Sequence, residues 1–139
     1  MTPCRHRVNY YETDKMGITH HANYLHWMEE ARVDFLDQLG WSYARLEELG
    51  VFSPVTSLEC AYRAPTTFGD LVDVTVAVRE YRGARLVVGY EMRRADGALV
   101  LTGASSHCFL DREGRLLRLK KVLPGLDALL RRLAEEAQR

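Results

Sequence analysis

Cysteine is scarce in this chain. Cys4, Cys60 and Cys108 are odd in number, widely spaced and without a C-x-x-C pair, which argues against a disulfide framework or a zinc ribbon. Cys60 and Cys108 fall inside strand-like runs, where a reduced, buried, small apolar side chain is the expected state. An excess of one charge is also missing. Nineteen basic and nineteen acidic residues give a formal net charge of +0, which argues against a nucleic-acid binder working through bulk charge. No apolar run approaches the length needed to cross a bilayer. The first residues, MTPCRHRV, lack the apolar core of a signal peptide, so the cytoplasm is the expected compartment. Neither G-x-G-x-x-G nor G-x-x-x-x-G-K-[ST] occurs, so there is no glycine-rich phosphate loop. Linkers, internal repeats and low-complexity segments are absent too. What remains is 139 residues, 47% hydrophobic and 27% charged, expected to form one globular domain over 1–139 with a real core.

Periodicity divides that domain. Cys4 to Tyr11 reads as a short first strand, and Glu12 to Thr19, with Gly17, as a loop. From about Ala22 to Leu39 the period is helical: Tyr24, Trp27, Met28, Ala31, Phe35 and Leu39 share one face, with Glu29, Glu30, Asp34 and Asp37 opposite. Leu25 and Leu36 widen the apolar face and predict a helix covered on more than one side. At a rise of ~1.5 Å per residue the rod is roughly 27 Å long, enough to cross a small sheet. Gly40 is the expected stop. A second, short helix is predicted from Ser42, a capping residue, to Leu49, just before Gly50.

After Gly50 the period becomes two. Strand-like runs surround Leu58–Tyr62, Val72–Val78, Leu86–Met92, Leu99–Leu110 and Arg115–Leu119. Arg82-Gly83, Asp96-Gly97 and Glu113-Gly114 are hairpin signals that join antiparallel neighbours. Pro124 opens a last helix, about 124–138, with Leu126, Leu129, Leu130, Leu133, Ala134 and Ala137 on one stripe. The expected class is α+β: a curved antiparallel sheet of about five or six strands wrapped around one long central helix.

Chemistry-bearing residues gather in the stretch RVNYYETDKMGITHHANY, Arg7 to Tyr24. Asp14 lies in a loop just before the long helix. A turn-forming or capping aspartate is the commoner role for such a residue. The functional role is a general base for water, or a nucleophile on an acyl carbon, with helix N-terminal amides serving the carbonyl oxygen. His20 and His21 are adjacent and cannot easily chelate one ion, and His26 is not at i,i+4 from either, so no metal is expected. One histidine near Asp14 can orient it or move a proton, and His20 is expected to be the exposed, idle one. Core packing is the leading expectation for the side chains of Tyr10, Tyr24, Trp27, Met28 and Phe35. His107, mid-strand, is expected to be a satisfied or interface histidine. The basic residues Arg82, Arg85, Arg115, Arg118, Lys120 and Lys121 are solvated surface or partners for ligand phosphates.

The same stretch resembles the signature of the 4-hydroxybenzoyl-CoA thioesterase family of hotdog-fold proteins. Arg7-Val8, Thr13-Asp14, Gly17-Ile18, His21 and Tyr24 fit it at the right spacing. Thr19 departs from it, since the family has Val there. YLHWMEEARVDFLDQLG and SPVTSLECAYRAPTTFGDLVDV are also similar to this family, especially to its acyl-CoA thioesterase branch. The resemblance implies hydrolysis of an acyl-CoA thioester with no cofactor, coenzyme A being part of the substrate. It makes Asp14 the catalytic base or nucleophile and His21 a catalytic or substrate-positioning residue. It makes Tyr24 a contributor through its backbone amide, and Tyr10 and Gly17 residues that line the substrate site. Arg63, Arg85, Lys120 and Lys121 become candidates to hold the CoA phosphates. It also implies a homodimer or homotetramer with sites at the dimer interface, joined by a sheet edge from the later strands, with no nucleic-acid partner and no membrane span.

Two other enzymes and one binder compete. A hotdog hydratase pairs its Asp with a His five residues on, but position 19 is Thr here. An acyl-carrier-protein thioesterase differs only in the leaving group. A non-catalytic acyl-CoA or acyl-carrier-binding module would have no use for Asp14.

Overall fold

The computed structural model describes Met1 to Gln138; Arg139, the end of the expected domain, lies outside the described residues. In chain order the elements are β1 (Cys4–Arg7), a 3-10 turn (Tyr10–Glu12), α1 (Asn23–Gln38), α2 (Tyr43–Glu48), β2 (Val55–Tyr62), β3 (Leu71–Tyr81), β4 (Arg85–Arg94), β5 (Leu99–Cys108), α3 (Leu119–Val122) and α4 (Pro124–Ala137). The strands form one five-stranded antiparallel sheet in the order β1-β3-β4-β5-β2. This is the expected α+β class with five strands.

Boundaries follow local chemistry. α1 ends at Gln38, and Gly40 at φ +83° turns the chain away in a left-handed conformation that L side chains avoid. Ser42 caps α2 by accepting the Arg45 amide at 3.1 Å. Two sequence expectations are corrected. The run Arg115–Leu119 is not a strand: Leu116 makes one isolated bridge to Leu110, and Leu119 already begins α3. Its five residues, with Leu116 and Leu117 adjacent, do not keep the alternation that a ladder needs. The first strand ends at Arg7, because the chain turns into the 3-10 segment that places Glu12.

The chain forms two compact units. The first contains Met1–Gln38, Cys60–Val76 and Tyr90–Gly103. In it β1 pairs antiparallel with β3, Cys4 opposite Val74 and Arg7 opposite Leu71. α1 buries Tyr24, Trp27, Met28, Ala31, Phe35 and Leu36, while Leu25 is exposed and so does not widen the buried face as expected. Val72, Val74, Tyr90, Met92, Val100 and Leu101 complete this core. Each buried Val, Leu, Phe or Met side chain among them contributes about 1.5–3 kcal/mol. Arg32 is buried on the same helix, its Nη1 donating to Tyr90 Oη at 2.9 Å.

The second unit contains Leu39–Glu59, Ala77–Gly89 and the chain from Ala104 on. Leu46, Val78, Leu86, Val88, Phe109, Leu119, Leu126 and Leu130 are among its buried side chains. Tyr81 Oη donates to Asp127 Oδ1 at 2.6 Å, and Arg131 Nε donates to Asp127 Oδ2 at 3.1 Å. Burial pushes the Asp127 carboxyl up, but these two donors outweigh it and hold the group below its ordinary range. His107 is buried, with Nε2 at 2.7 Å from Ser105 Oγ. Cys60 and Cys108 are free thiols, half-buried rather than fully buried.

Candidate active site

The segment after β1 is fixed before it reaches Asp14. Val8 is buried, its amide donating to Asp70 O at 2.9 Å and its carbonyl accepting the Gly69 amide at 3.0 Å. The Glu12 carboxylate is buried and accepts four N–H donors. The Asn9 amide lies at 2.8 Å, His6 Nε2 at 2.8 Å, Asn9 Nδ2 at 3.2 Å and Trp27 Nε1 at 2.7 Å. His6 Nδ1 faces Glu30 at 3.4 Å. Burial alone would raise the Glu12 carboxyl, but the Asn9 amide, His6 and Trp27 together hold it below its ordinary 4.5.

The sign of the resulting pH dependence follows. A carboxyl depressed in the fold adds stability above its unfolded value and loses it as pH falls through the folded one. Glu12 and Asp127 both act in this sense. The melting temperature is therefore expected to hold level down to about pH 5 and to fall steadily below it, measured by circular dichroism in a pH series. A level profile down to pH 3 would contradict the assignment.

Asp14 sits in a tight turn. Its amide donates to Ile18 O at 2.9 Å, its carbonyl accepts the Gly17 amide at 3.0 Å, and Thr13 and Thr19 bridge antiparallel behind it. Its Oδ1 accepts the Met16 amide at 2.8 Å, an Asx turn, so the aspartate does shape its loop. The side chain is half-exposed. Gly17 has φ +80°, which any side chain would strain, and its carbonyl accepts Thr67 Oγ1 at 2.6 Å.

The departure at Thr19 has a local reason. Thr19 is buried, and its Oγ1 lies 2.6 Å from Thr66 Oγ1, which lies in turn 3.0 Å from Tyr24 Oη. Thr19 and Thr66 thus satisfy one another where an unpaired hydroxyl would be costly.

α1 then begins over this loop. His20 O accepts the Asn23 amide at 3.0 Å, Ala22 O accepts the Leu25 amide at 3.2 Å, and Asn23 Nδ2 donates to Glu12 O at 2.9 Å. The Tyr24 side chain is buried, as expected of a core aromatic.

An open cleft of about 280 Å³ adjoins this helix start, lined by Ile18, Thr19, His21, Tyr24, Tyr62, Arg63, Ala64 and Pro65. It brings together three of the expected site residues, His21, Tyr24 and Arg63. Asp14 and Gly17 belong to the turn whose Ile18 and Thr19 form part of the wall. Tyr10 is elsewhere on the loop: it is 77% exposed, against the expectation of core packing, with its ring 5.7 Å from Phe68. His20 is exposed, and its Nδ1 accepts the Ala22 amide at 3.3 Å. Arg85, Lys120 and Lys121 belong to the second unit and do not line the cleft; Arg85 reaches Ser106 Oγ at 3.5 Å. No three His, Cys, Asp or Glu side chains gather to hold a metal ion among the described residues.

Sequence reasoning missed two residues here. Tyr62 donates to His21 O at 3.2 Å and packs edge-on against Tyr24 at 5.5 Å. Its place on the cleft wall depends on β2 meeting α1, which local sequence does not encode. Glu12 did leave a signal, because Asn9 followed three residues later by Glu is capping-box spacing.

A half-exposed carboxylate thus stands on the turn whose Ile18 and Thr19 wall the cleft, beside the start of a long helix on an α+β sheet. The chain belongs to the Thioesterase-like superfamily, whose family model matches residues 8–133, and it is a hotdog-fold thioesterase. It is similar to YneP of Bacillus subtilis, provisionally named an acyl-CoA thioesterase, at 37% identity over 84% of this chain and 86% of that protein. It is 34% identical to the acyl-CoA thioesterase YbgC of Haemophilus influenzae, over 71% of this chain and 72% of that one. Among solved structures it resembles a DHNA-CoA thioesterase from Staphylococcus aureus, with a TM-score of 0.91 and 32% identity over 97% of this chain and 93% of that one.

Proposed function

We propose that this protein hydrolyses an acyl-CoA thioester to the free acid and CoA, as a member of the acyl-CoA branch of the 4-hydroxybenzoyl-CoA thioesterase family. The observation that carries the reading is the cleft at the start of α1, walled by the Asp14 turn and by His21 and Tyr24. The names of YbgC and of the Staphylococcus aureus enzyme support the substrate class.

In this mechanism the thioester carbonyl oxygen approaches the positive end of α1 and takes the Tyr24 amide, which stabilises the charge that develops there. Asp14 removes a proton from water as the oxygen attacks the carbonyl carbon. Alternatively its carboxylate attacks directly, and water then releases the acyl group from Asp14. Either way the C–S bond breaks, and the CoA thiolate leaves and is protonated. His21, on the cleft wall, serves as the proton carrier or positions the substrate. Arg63, on the cleft wall, is proposed to contact the substrate, with Tyr10 and Gly17 as further proposed substrate contacts from the loop, and Arg85, Lys120 and Lys121 are the proposed partners of the CoA phosphates. The reaction as written uses no metal or redox cofactor.

A second copy of the chain completes the site in this reading, as a homodimer or homotetramer of one thioesterase domain. The sheet margins are β1 and β2, so the later strands β3 to β5 are interior and cannot supply the pairing edge. β2, with exposed Val55, Leu58 and Tyr62, is the margin proposed for it. No helix among the described residues is long and apolar enough to cross a membrane, and the cytoplasm is the proposed compartment.

Thiol release from acetyl-, hexanoyl-, palmitoyl- and benzoyl-CoA tests the reading. Turnover on at least one of them is expected. Tight binding without CoA release would make the protein a binder, and turnover confined to acyl-carrier-protein thioesters would change the leaving group.

A further inference from the structure

We infer that Glu12 is a positioning residue for this reaction: its buried carboxylate holds the Asp14 turn in register with the start of α1. The inference rests on the reading of Asp14 given above. Glu12 touches every element around the turn. Its Oε1 takes His6 of β1 and the Asn9 amide of the 3-10 turn, and its Oε2 takes Trp27 of α1 at 2.7 Å. Its own carbonyl takes the His20 amide at 2.8 Å and Asn23 Nδ2 at 2.9 Å. The chain thus leaves Glu12, runs through the Asp14 turn, and returns to Glu12 at His20. Both ends of the loop are tied to one residue, and that residue is tied through Trp27 to the helix whose start adjoins the cleft.

Only a carboxylate suits the position. All four groups that meet it are N–H donors. A glutamine presents one acceptor oxygen and one NH₂ group. With its oxygen kept on Asn9 and His6, its nitrogen opposes the Trp27 N–H, donor against donor; flipped, it opposes the Asn9 amide instead. The side chain would shift, and the turn with it. A displacement of about 1 Å in a reacting group can cost on the order of 10²-fold in rate.

The test compares wild type, Glu12→Gln, Glu12→Gln/Trp27→Phe and Asp14→Asn. Thiol release gives kcat and KM separately, and amide hydrogen exchange reports on the loop. In Glu12→Gln, kcat is expected to fall by roughly 10- to 100-fold with KM little changed. Exchange should quicken at Asp14, Gly17 and His20 while the amides of Val74 and Val88 stay protected. The double variant removes the opposing donor, so it should recover part of kcat; a purely structural role would leave it worse than either change alone. Unchanged exchange in the loop overturns the inference. So does faster exchange with wild-type kcat, provided Asp14→Asn is inactive. If Asp14→Asn is fully active, it is the reading of Asp14 that fails. Should Glu12→Gln not fold, Trp27→Phe alone must quicken loop exchange at His20, and unchanged protection there would overturn the inference.

Discussion

Asp14→Asn is expected to fold like the wild type and to lose roughly 10²–10⁴-fold in thioester turnover, the usual contribution of a positioned base. The fold survives because the turn uses Asp14 through one side-chain bond, Oδ1 accepting the Met16 amide at 2.8 Å. An asparagine oxygen accepts the same bond. The turn's other ties are backbone bonds, between Asp14 and Ile18 and between Gly17 and Asp14. What the substitution removes is the basic and nucleophilic character of the carboxylate. Thiol release measured beside a circular dichroism melt separates the two effects. A variant that melts normally and turns over every acyl-CoA at the wild-type rate would remove Asp14 from the chemistry.

Trp27→Ala is expected to be the most destabilising of the changes considered, by about 3–5 kcal/mol. The ring is 1% exposed, lies 4.4 Å from His6 and 4.7 Å from Tyr24, and donates to Glu12. Truncation leaves a cavity beneath the start of α1 and takes one donor from a buried carboxylate. For a chain of this size the loss corresponds to a fall in melting temperature of roughly 10–20 °C. A fall of only a few degrees would mean that the neighbouring side chains collapse into the space.

Much of this arrangement is legible in the sequence, for reasons that can be stated. The 3.6-residue period of Tyr24, Trp27, Met28, Ala31 and Phe35 locates α1, because a buried helix face has to repeat in that way. Asp96-Gly97 and Arg82-Gly83 mark tight turns between β3, β4 and β5, where the backbone takes a conformation suited to glycine. Arg115–Leu119 misleads because a short leucine-rich run looks the same whether or not a neighbouring strand accepts it. The Asp14 turn, His21 and Tyr24 are visible through the spacing of the signature. Tyr62 and Thr66 are not, since their roles come from segments about forty residues away meeting α1 and the loop. Glu12 reads as an ordinary loop carboxylate because burial is decided by tertiary packing, and only its spacing from Asn9 hints otherwise.

The Thr19–Thr66 pair carries an evolutionary corollary. The two hydroxyls are 47 positions apart yet share one buried bond, so a change at one alters the surroundings of the other. A valine at position 19 would leave Thr66 Oγ1 still paired with Tyr24 Oη, whereas a valine at position 66 would take a partner from both Thr19 and Tyr24. Position 19 is therefore the freer of the two to exchange threonine for valine.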